Sequence, residues 1–404
     1  MGRVRKRILF LAEGATMAHF VRPLALAETL DIGEYEIHLH APARFAQYLS
    51  GKPFATGELA TMPGEQFLAN IAKGSPMFPA AVLRSYVQQD RELIQRIRPD
   101  LTIGDMRPSL SISAQLEGTP CAVMMNAYWS PYTKRRSIIP ELPLTRIVPP
   151  RLLGPLYRLT EPIAFAIHVA PVNTVRKEFG IAALPADIRS MYTDGNYVLY
   201  ADIPEFIPAC GLPDSHYYVG TCAWIPAAAK PEWWDRMVAD PRPKVFVALG
   251  SSGPIRVLPA LFRALSKLPV AIVISTSGRK TPGISSEMYA ADLLPLAATT
   301  AQSRLVVSHG GSSGIHPAMA SGKPLLGIPS NADQHLSMAV VQENGAGLGV
   351  RVEEASEKRL SEALEKLLYD PQYGAAASRW AETYARYDSG AMFQKFLGEV
   401  LSRA

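Results

Sequence analysis

Residues 304–335, RLVVSHGGSSGIHPAMASGKPLLGIPSNADQH, constrain the fold more than any other stretch of the chain. Leu305, Val306 and Val307 are a short apolar, β-branched run, the pattern of a buried strand. His309-Gly310-Gly311-Ser312-Ser313-Gly314 breaks that periodicity, and Ile315 to Ala320 reads as the opening turns of a helix. Lys323 to Ile328 resumes as an apolar strand that ends at Pro329. Strand, Gly/Ser loop, helix and strand make one βαβ unit. Its loop falls where free backbone N–H groups and a helix N-terminus favour an anion. Glycine lets such a backbone approach a phosphate closely. A phosphate cradle and an ordinary strand-to-helix turn both fit these residues.

The same alternation runs through the rest of the chain. Strands are expected at Arg7 to Leu11, Tyr35 to His40, Asp100 to Gly104 and Thr119 to Met125, separated by helical patterns at Phe20 to Leu30, Ala80 to Arg98 and Leu110 to Glu117. Short connections between them predict a parallel sheet with helices on both faces. Asn196 to Ala201 and Tyr217 to Val219 read as the last strands of this half. A second α/β half opens with a strand at Lys244 to Leu249, the loop Gly250-Ser251-Ser252-Gly253 and a helix at Leu258 to Lys267. At 404 residues the chain exceeds what one core usually supports. The expected division is 1–225, a proline-rich linker at 226–243, 244–380, and a C-terminal helix at 381–404 that packs back on the first half. Each half is a doubly wound sheet, which places a ligand in a cleft between C-terminal strand edges.

Residues 131–170 stand apart. They hold seven prolines and six basic residues against two acidic ones, so +4 of the chain's net +5 lies here. Proline at that density predicts a long loop followed by short helices. It reads as a solvated basic loop, a lid over an apolar substrate, or a contact with an anionic membrane. A net charge of +5 is too mild for nucleic acid without a focused patch. The basic start MGRVRKRILFLA imitates a secretory leader, but its apolar run is short and Glu13 interrupts it. No run of about 18 apolar residues is available to span a bilayer. Cys121, Cys210 and Cys222 have neither metal nor framework spacing, which fits a reducing, cytoplasmic setting.

Acid–base chemistry has its own candidates. An acceptor hydroxyl loses its proton as it attacks, and a histidine oriented by a carboxylate suits that task. His19 stands just beyond the first strand and Asp105 at the end of another, so both project to one sheet edge. The plainer roles are a helix-start histidine that satisfies backbone and an aspartate that caps the next helix.

Three motifs in chain order carry a family resemblance: His19 with the Pro23-Leu24-Ala25-Leu26-Ala27 helix start; Gly250-Ser251-Ser252-Gly253; and His309-Gly310-Gly311 followed by Gly322-x-Pro324, Pro329 and Asp333-Gln334. On these residues nearly the whole chain resembles the GT-B fold glycosyltransferases of the UDP-glycosyltransferase superfamily, in its bacterial UDP-glucuronosyltransferase-like branch. The resemblance implies two Rossmann-like doubly wound domains facing a central cleft. It implies transfer of a sugar, with inversion and without a metal or other cofactor, from a UDP- or dTDP-linked donor to a hydroxyl of a small hydrophobic or aromatic molecule or a lipid. It assigns the His19–Asp105 pair as base and orienting acid. Diphosphate contacts are implied for His309, Gly310, Gly311, Ser312 and Ser313, with Ser251, Ser252 and Gly253 from the facing loop. Asp333 and Gln334 are implied at the donor sugar, and the base beside Tyr289 to Leu294, which includes Asp292. Met125, Tyr128 and Trp129 are the acceptor-side candidates, being apolar residues that serve equally as core.

The chain departs from the family at three points, one of them an extra residue between His19 and Pro23. Gly314 stands where a Ser or Thr is usual, and Pro317 where a Glu or Gln normally accepts from the ribose hydroxyls. Proline cannot accept there, which favours a dTDP-sugar, with His316 expected to take over a nucleotide contact. The competing readings are a nucleotide-sugar epimerase or hydrolase of the same fold and a non-catalytic sugar-nucleotide binder.

Overall fold

The computed structural model describes residues 5–223, 228–250 and 253–402, so Ser251 and Ser252 lie outside the described residues. The chain forms two compact units: Met1–Ser137 with Leu156–Trp224 and Tyr387–Ala404, and Ile138–Pro155 with Ile225–Arg386. The grouping differs from the expected division at three places. Residues 138–155 join the second unit, the expected linker is part of that unit and carries the helix Trp234–Ala239, and the return to the first unit falls at Tyr387.

The first unit is built on seven strands: β1 (Lys6–Ala12), β2 (Tyr35–Ala41), β3 (Ala55–Glu58), β4 (Leu101–Asp105), β5 (Cys121–Met125), β6 (Tyr197–Tyr200) and β7 (His216–Tyr218). Their order is β3-β2-β1-β4-β5-β6-β7, parallel throughout. In β1, Ile8 to Ala12 are buried without interruption, as a strand covered on both faces requires. The strand order reverses between β1 and β4, and a doubly wound sheet opens its crevice at such a point. Ala12 at the end of β1 lies in register with Asp105 at the end of β4.

The second unit repeats the plan with β8 (Lys244–Ala248), β9 (Ala271–Ser275), β10 (Tyr289–Ala291), β11 (Leu305–Ser308), β12 (Leu325–Gly327) and β13 (Gly347–Gly349). The order β10-β9-β8-β11-β12-β13 reverses between β8 and β11. Those two strands are the ones followed by the glycine-rich loops. Gly345-Ala346-Gly347 reads as a turn, yet its last residue begins β13, held by the backbone pairing of Leu325 with Gly347.

The largest correction concerns 131–170. The part before Pro150 is irregular apart from short 3-10 turns, but Pro150–Glu178 is one 29-residue helix. Pro155, Pro162 and Pro171 each remove a hydrogen bond to the carbonyl four residues back. Those carbonyls belong to Arg151, Arg158 and Ile167, all exposed residues, so water can take the place of the missing donors.

Candidate active site

The switch point of the first unit gathers its charged side chains. His19 sits in the first turn of the helix Ala18–Glu28, directly after the β1 loop. Its Nδ1 lies 2.7 Å from Asp105 Oδ1. With Nδ1–H donating to the carboxylate, Nε2 keeps a lone pair and can receive a proton. Pro23 removes the N–H that would close on the His19 carbonyl, which loosens the turn carrying the ring.

Arg22, one turn further along the same helix, completes the cluster. Its Nε donates to Asp105 Oδ2 and its Nη2 to Asp105 Oδ1, both at 2.7 Å, a bidentate clamp. Its Nη1 donates to Asn126 Oδ1 at 2.7 Å. Asn126 Nδ2 and the Ala127 N–H in turn donate to Asp202 Oδ2, at 3.1 and 2.7 Å. The network therefore links the ends of β1, β4, β5 and β6. Burial pushes the Asp105 carboxyl up, but Arg22 and His19 outweigh it and hold the carboxyl below the usual aspartate value. Asp105 is thus an anion at neutral pH.

A second buried network braces the same two loops. Arg107, two residues beyond β4, donates to Glu13 Oε2 at 3.1 Å and to Asp90 Oδ1 at 2.8 and 2.9 Å, and Ser109 Oγ donates to Asp90 Oδ2 at 2.7 Å. Burial outweighs Arg107 at Glu13 and Asp90 and raises both carboxyls. Arg22 and Arg107 escaped the sequence reading. The signal available for Arg22 was its i+3 spacing from His19 on one helix face; Arg107 offered only its place two residues past a strand end.

In the second unit the loops after β8 and β11 meet. Gly250 (φ 61°) and Gly310 (φ 81°) hold left-handed backbone that disfavours side chains. A Cβ on Gly311 would stand 2.6 Å from His309 Nε2, and one on Gly310 would stand 2.5 Å from Met338 Cγ. The loop is pinned from two sides: the Gly310 N–H donates to Ser308 Oγ at 3.0 Å, and Ser337 Oγ donates to the Gly310 carbonyl. Gly311 caps the helix Ser312–Ala320 without a side-chain hydrogen bond, so the first-turn N–H groups at Ser312 and Ser313 are not spent on a cap. His309 is buried, its Nδ1 has no hydrogen-bond partner among the described residues, and burial pushes its pKa down to about 4. It is neutral at pH 7.

Arg279, beyond β9, donates through Nη1 to the carbonyls of Gly250 at 3.0 Å and Gly253 at 2.8 Å, tying down the facing loop. It too was missed by the sequence reading, since an arginine after a strand carries no motif. Gln334 is buried, and its Oε1 accepts from Ser330 N–H and Oγ at 2.9 and 3.0 Å. Asp333 occupies the first turn of the helix Ala332–Glu343 and lies close enough to His309 to act on its charge. Asp292 Oδ1 accepts from Thr276 Oγ1 at 2.6 Å, bracing the loops after β9 and β10.

Several expected contacts fall elsewhere. His316 is buried with Nδ1 3.0 Å from the Tyr384 hydroxyl, so packing against the helix Pro371–Tyr384 occupies the side chain expected at the nucleotide. Tyr289 is 6% exposed, with its hydroxyl on Asp240, and has no open face for a base. Met125 and Tyr128 are buried and belong to the core of the first unit. Trp129 is half-buried, its ring 5.4 Å from that of Tyr192 and 6.4 Å from that of Phe165. Among the described residues no group of three or more His, Cys, Asp or Glu is placed to hold a metal ion.

Comparison with known proteins follows the same lines. Residues 260–390 match the family model of the erythromycin biosynthesis protein CIII-like C-terminal domain. A PGL/p-HBAD biosynthesis rhamnosyltransferase of Mycobacterium bovis is 40% identical over 383 residues, which is 95% of this chain and 85% of that protein. A PGL/p-HBAD biosynthesis glycosyltransferase of Mycobacterium tuberculosis is 40% identical over 381 residues, 94% of this chain and 89% of its own. Among solved structures, a spinosyn rhamnosyltransferase complexed with thymidine diphosphate superposes with a TM-score of 0.67 at 16% identity, covering 97% of this chain and 99% of that one. The fold is GT-B, and the chain belongs to the family of the PGL/p-HBAD biosynthesis glycosyltransferases.

Proposed function

We propose that the protein transfers a 6-deoxyhexose such as rhamnose, with inversion, from a dTDP-linked donor to a hydroxyl of a hydrophobic or aromatic acceptor. The observation that carries the chemistry is the His19–Asp105–Arg22 cluster at the β1/β4 switch point. His19 Nε2 takes the acceptor proton while the freed oxygen attacks the anomeric carbon and the bond to the diphosphate breaks. Asp105 fixes the ring and stabilises the imidazolium that forms. The negative charge that develops on the leaving diphosphate is met by the uncapped N-terminus of Ser312–Ala320, so the proposal needs no metal ion. Donor choice rests on Pro317, which removes the usual ribose acceptor, and agrees with the thymidine diphosphate held by the spinosyn enzyme. A hydrophobic acceptor is supported by the half-buried Trp129 among Phe165 and Tyr192.

The test is a panel of dTDP- and UDP-sugars assayed for nucleotide diphosphate release with and without acceptor. Release is expected to require acceptor and to be faster with the dTDP-linked 6-deoxyhexose. His19→Ala is expected to lower turnover roughly 100-fold or more with little change in donor affinity. Release without acceptor means hydrolysis and ends the transfer reading, and unaltered turnover in His19→Ala ends the base assignment.

A further inference from the structure

The long helix Pro150–Glu178 leaves an apolar stripe uncovered. Leu152, Leu156, Leu159, Ile163 and Ile167 follow one another at intervals of four, three, four and four residues, which places them on one helical face. Their exposure runs from 40% at Ile167 to 77% at Leu159. At about 1.5 Å per residue the stripe is about 22 Å long. Singly exposed leucines are ordinary, but an aligned row of five large apolar side chains is not.

Charge around the stripe has one sign. Arg151 and Arg158 are exposed, each one residue and so about 100° round the helix from Leu152 and Leu159. Lys134 and Arg135 are exposed too, and Arg135 donates to Glu161 of this helix at 2.8 Å, which brings the basic 134–136 segment against it. Both acidic residues of 131–170 are neutralised, Glu161 by Arg135 and Glu141 by Arg146 and Arg256. Among the described residues no helix is long and apolar enough to cross a membrane.

We propose that this face docks the enzyme onto an anionic phospholipid surface, with the helix lying in the interface, the stripe sunk among the acyl chains and the arginines at the headgroups. A helix of this make-up is suited to lying on a bilayer, since arginine stems reach up to phosphates while leucines bury. A second copy of the chain would also cover the stripe, but a row of like-charged arginines beside it opposes self-association and favours an anionic partner. The inference is independent of which sugar or acceptor the enzyme uses.

Flotation of the full-length protein with vesicles of phosphatidylglycerol and phosphatidylcholine, against phosphatidylcholine alone, tests it. Binding is expected on the anionic vesicles, at least 10-fold weaker on the neutral ones, and weakened by added salt. Leu156→Glu/Leu159→Glu is expected to lower partitioning 10-fold or more. Arg151→Gln/Arg158→Gln is expected to lower it about 5-fold per arginine on anionic vesicles only. Both variants should keep the wild-type turnover on a water-soluble acceptor, which shows that they fold. Equal binding of the wild type to both vesicle types, no binding to either, or unchanged partitioning in the stripe variant would overturn the proposal. So would a concentration-dependent dimer in light scattering that Leu156→Glu/Leu159→Glu abolishes, because the stripe would then be covered by a second copy.

Discussion

Three hydrogen bonds converge on the Asp105 carboxylate, one from His19 and two from Arg22. The guanidinium keeps the acid ionised, and its Nη2, 3.1 Å from His19 Nδ1, also places a fixed positive charge beside the ring. Replacing Arg22 by Gln removes the clamp that fixes and ionises Asp105, so the carboxylate no longer holds the His19 ring in place. Turnover is expected to fall at least ~10-fold, read as kcat with donor KM little changed. Stability is expected to fall by about 3–5 kcal/mol because a buried carboxylate loses its partner. Arg22→Lys, which keeps a charge beside Asp105, should recover part of the turnover, whereas a purely structural role would cost stability and leave kcat in place. His309 makes a different statement. The unfolded chain accepts a proton on this residue near pH 6.5, but the folded chain refuses it until about 4. The unfolded state therefore binds more protons in that window, and stability falls as pH drops through it. His335, pushed down to about 3, acts with the same sign. In urea unfolding without ligand, the loss between pH 7.5 and 5 is expected to be about 2 kcal/mol smaller in His309→Asn than in the wild type. Equal losses would mean that His309 is accessible enough to protonate in the native state.

The loop between β11 and its helix shows how an element limits its own sequence. A Cβ on Gly314 would stand 2.9 Å from the Ser308 Cβ and 3.0 Å from its Oγ, the oxygen that accepts from the Gly310 N–H. Ser308 thus occupies the space that a Ser or Thr at 314 would need. Gly314→Thr alone is expected to cost about 1–3 kcal/mol through overpacking and to weaken nucleotide diphosphate binding by displacing Gly310. Ser308→Gly/Gly314→Thr should melt higher than Gly314→Thr alone, though below the wild type because the Gly310 N–H loses its acceptor, and calorimetric titration with thymidine diphosphate reads the binding side. If the double variant melts no higher than the single one, the contact with Ser308 is not the cause. The same comparison shows what could be read beforehand. His309-Gly310-Gly311 was legible as a strand-to-helix loop because a glycine pair directly after an apolar strand leaves a local signature, whereas the packing of His316 against Tyr384 left none. His19 and Asp105 were legible because each follows an apolar strand. Arg22's clamp was not, since it depends on which strand ends become neighbours. The helix Pro150–Glu178 was misjudged for a related reason: three prolines argue against a helix locally, and only the exposed position of the carbonyls they orphan makes them tolerable.

Across the whole molecule the two sheets repeat one strand order, and both sets of candidate residues lie at the reversal of that order. The alternation of strands and helices was enough to anticipate this, because parallel pairing leaves few topologies. The chain's crossings between units were harder to place, since a crossing leaves no local pattern. The last crossing has an energetic consequence. The helix Ser389–Leu401 buries Phe393, Phe396, Leu397 and Val400 almost completely in the first unit, with Phe393 6.1 Å from Phe10 and Phe396 5.6 Å from Tyr197, ring to ring. At about 2 kcal/mol for each buried side chain the helix contributes about 8 kcal/mol, comparable to the whole stability of a typical domain. A chain ending at Arg386 is therefore expected to leave the first unit unfolded, although it lacks none of the seven strands and none of His19, Arg22 or Asp105. The second unit keeps all of Ile225–Arg386 and with it the β8 and β11 loops. Limited proteolysis of the truncated protein should digest the first unit and spare the second, which should still bind thymidine diphosphate while turnover is lost. Retention of turnover by the truncated chain would show that the sheet and its own helices suffice, and that the returning helix adds little to the first unit.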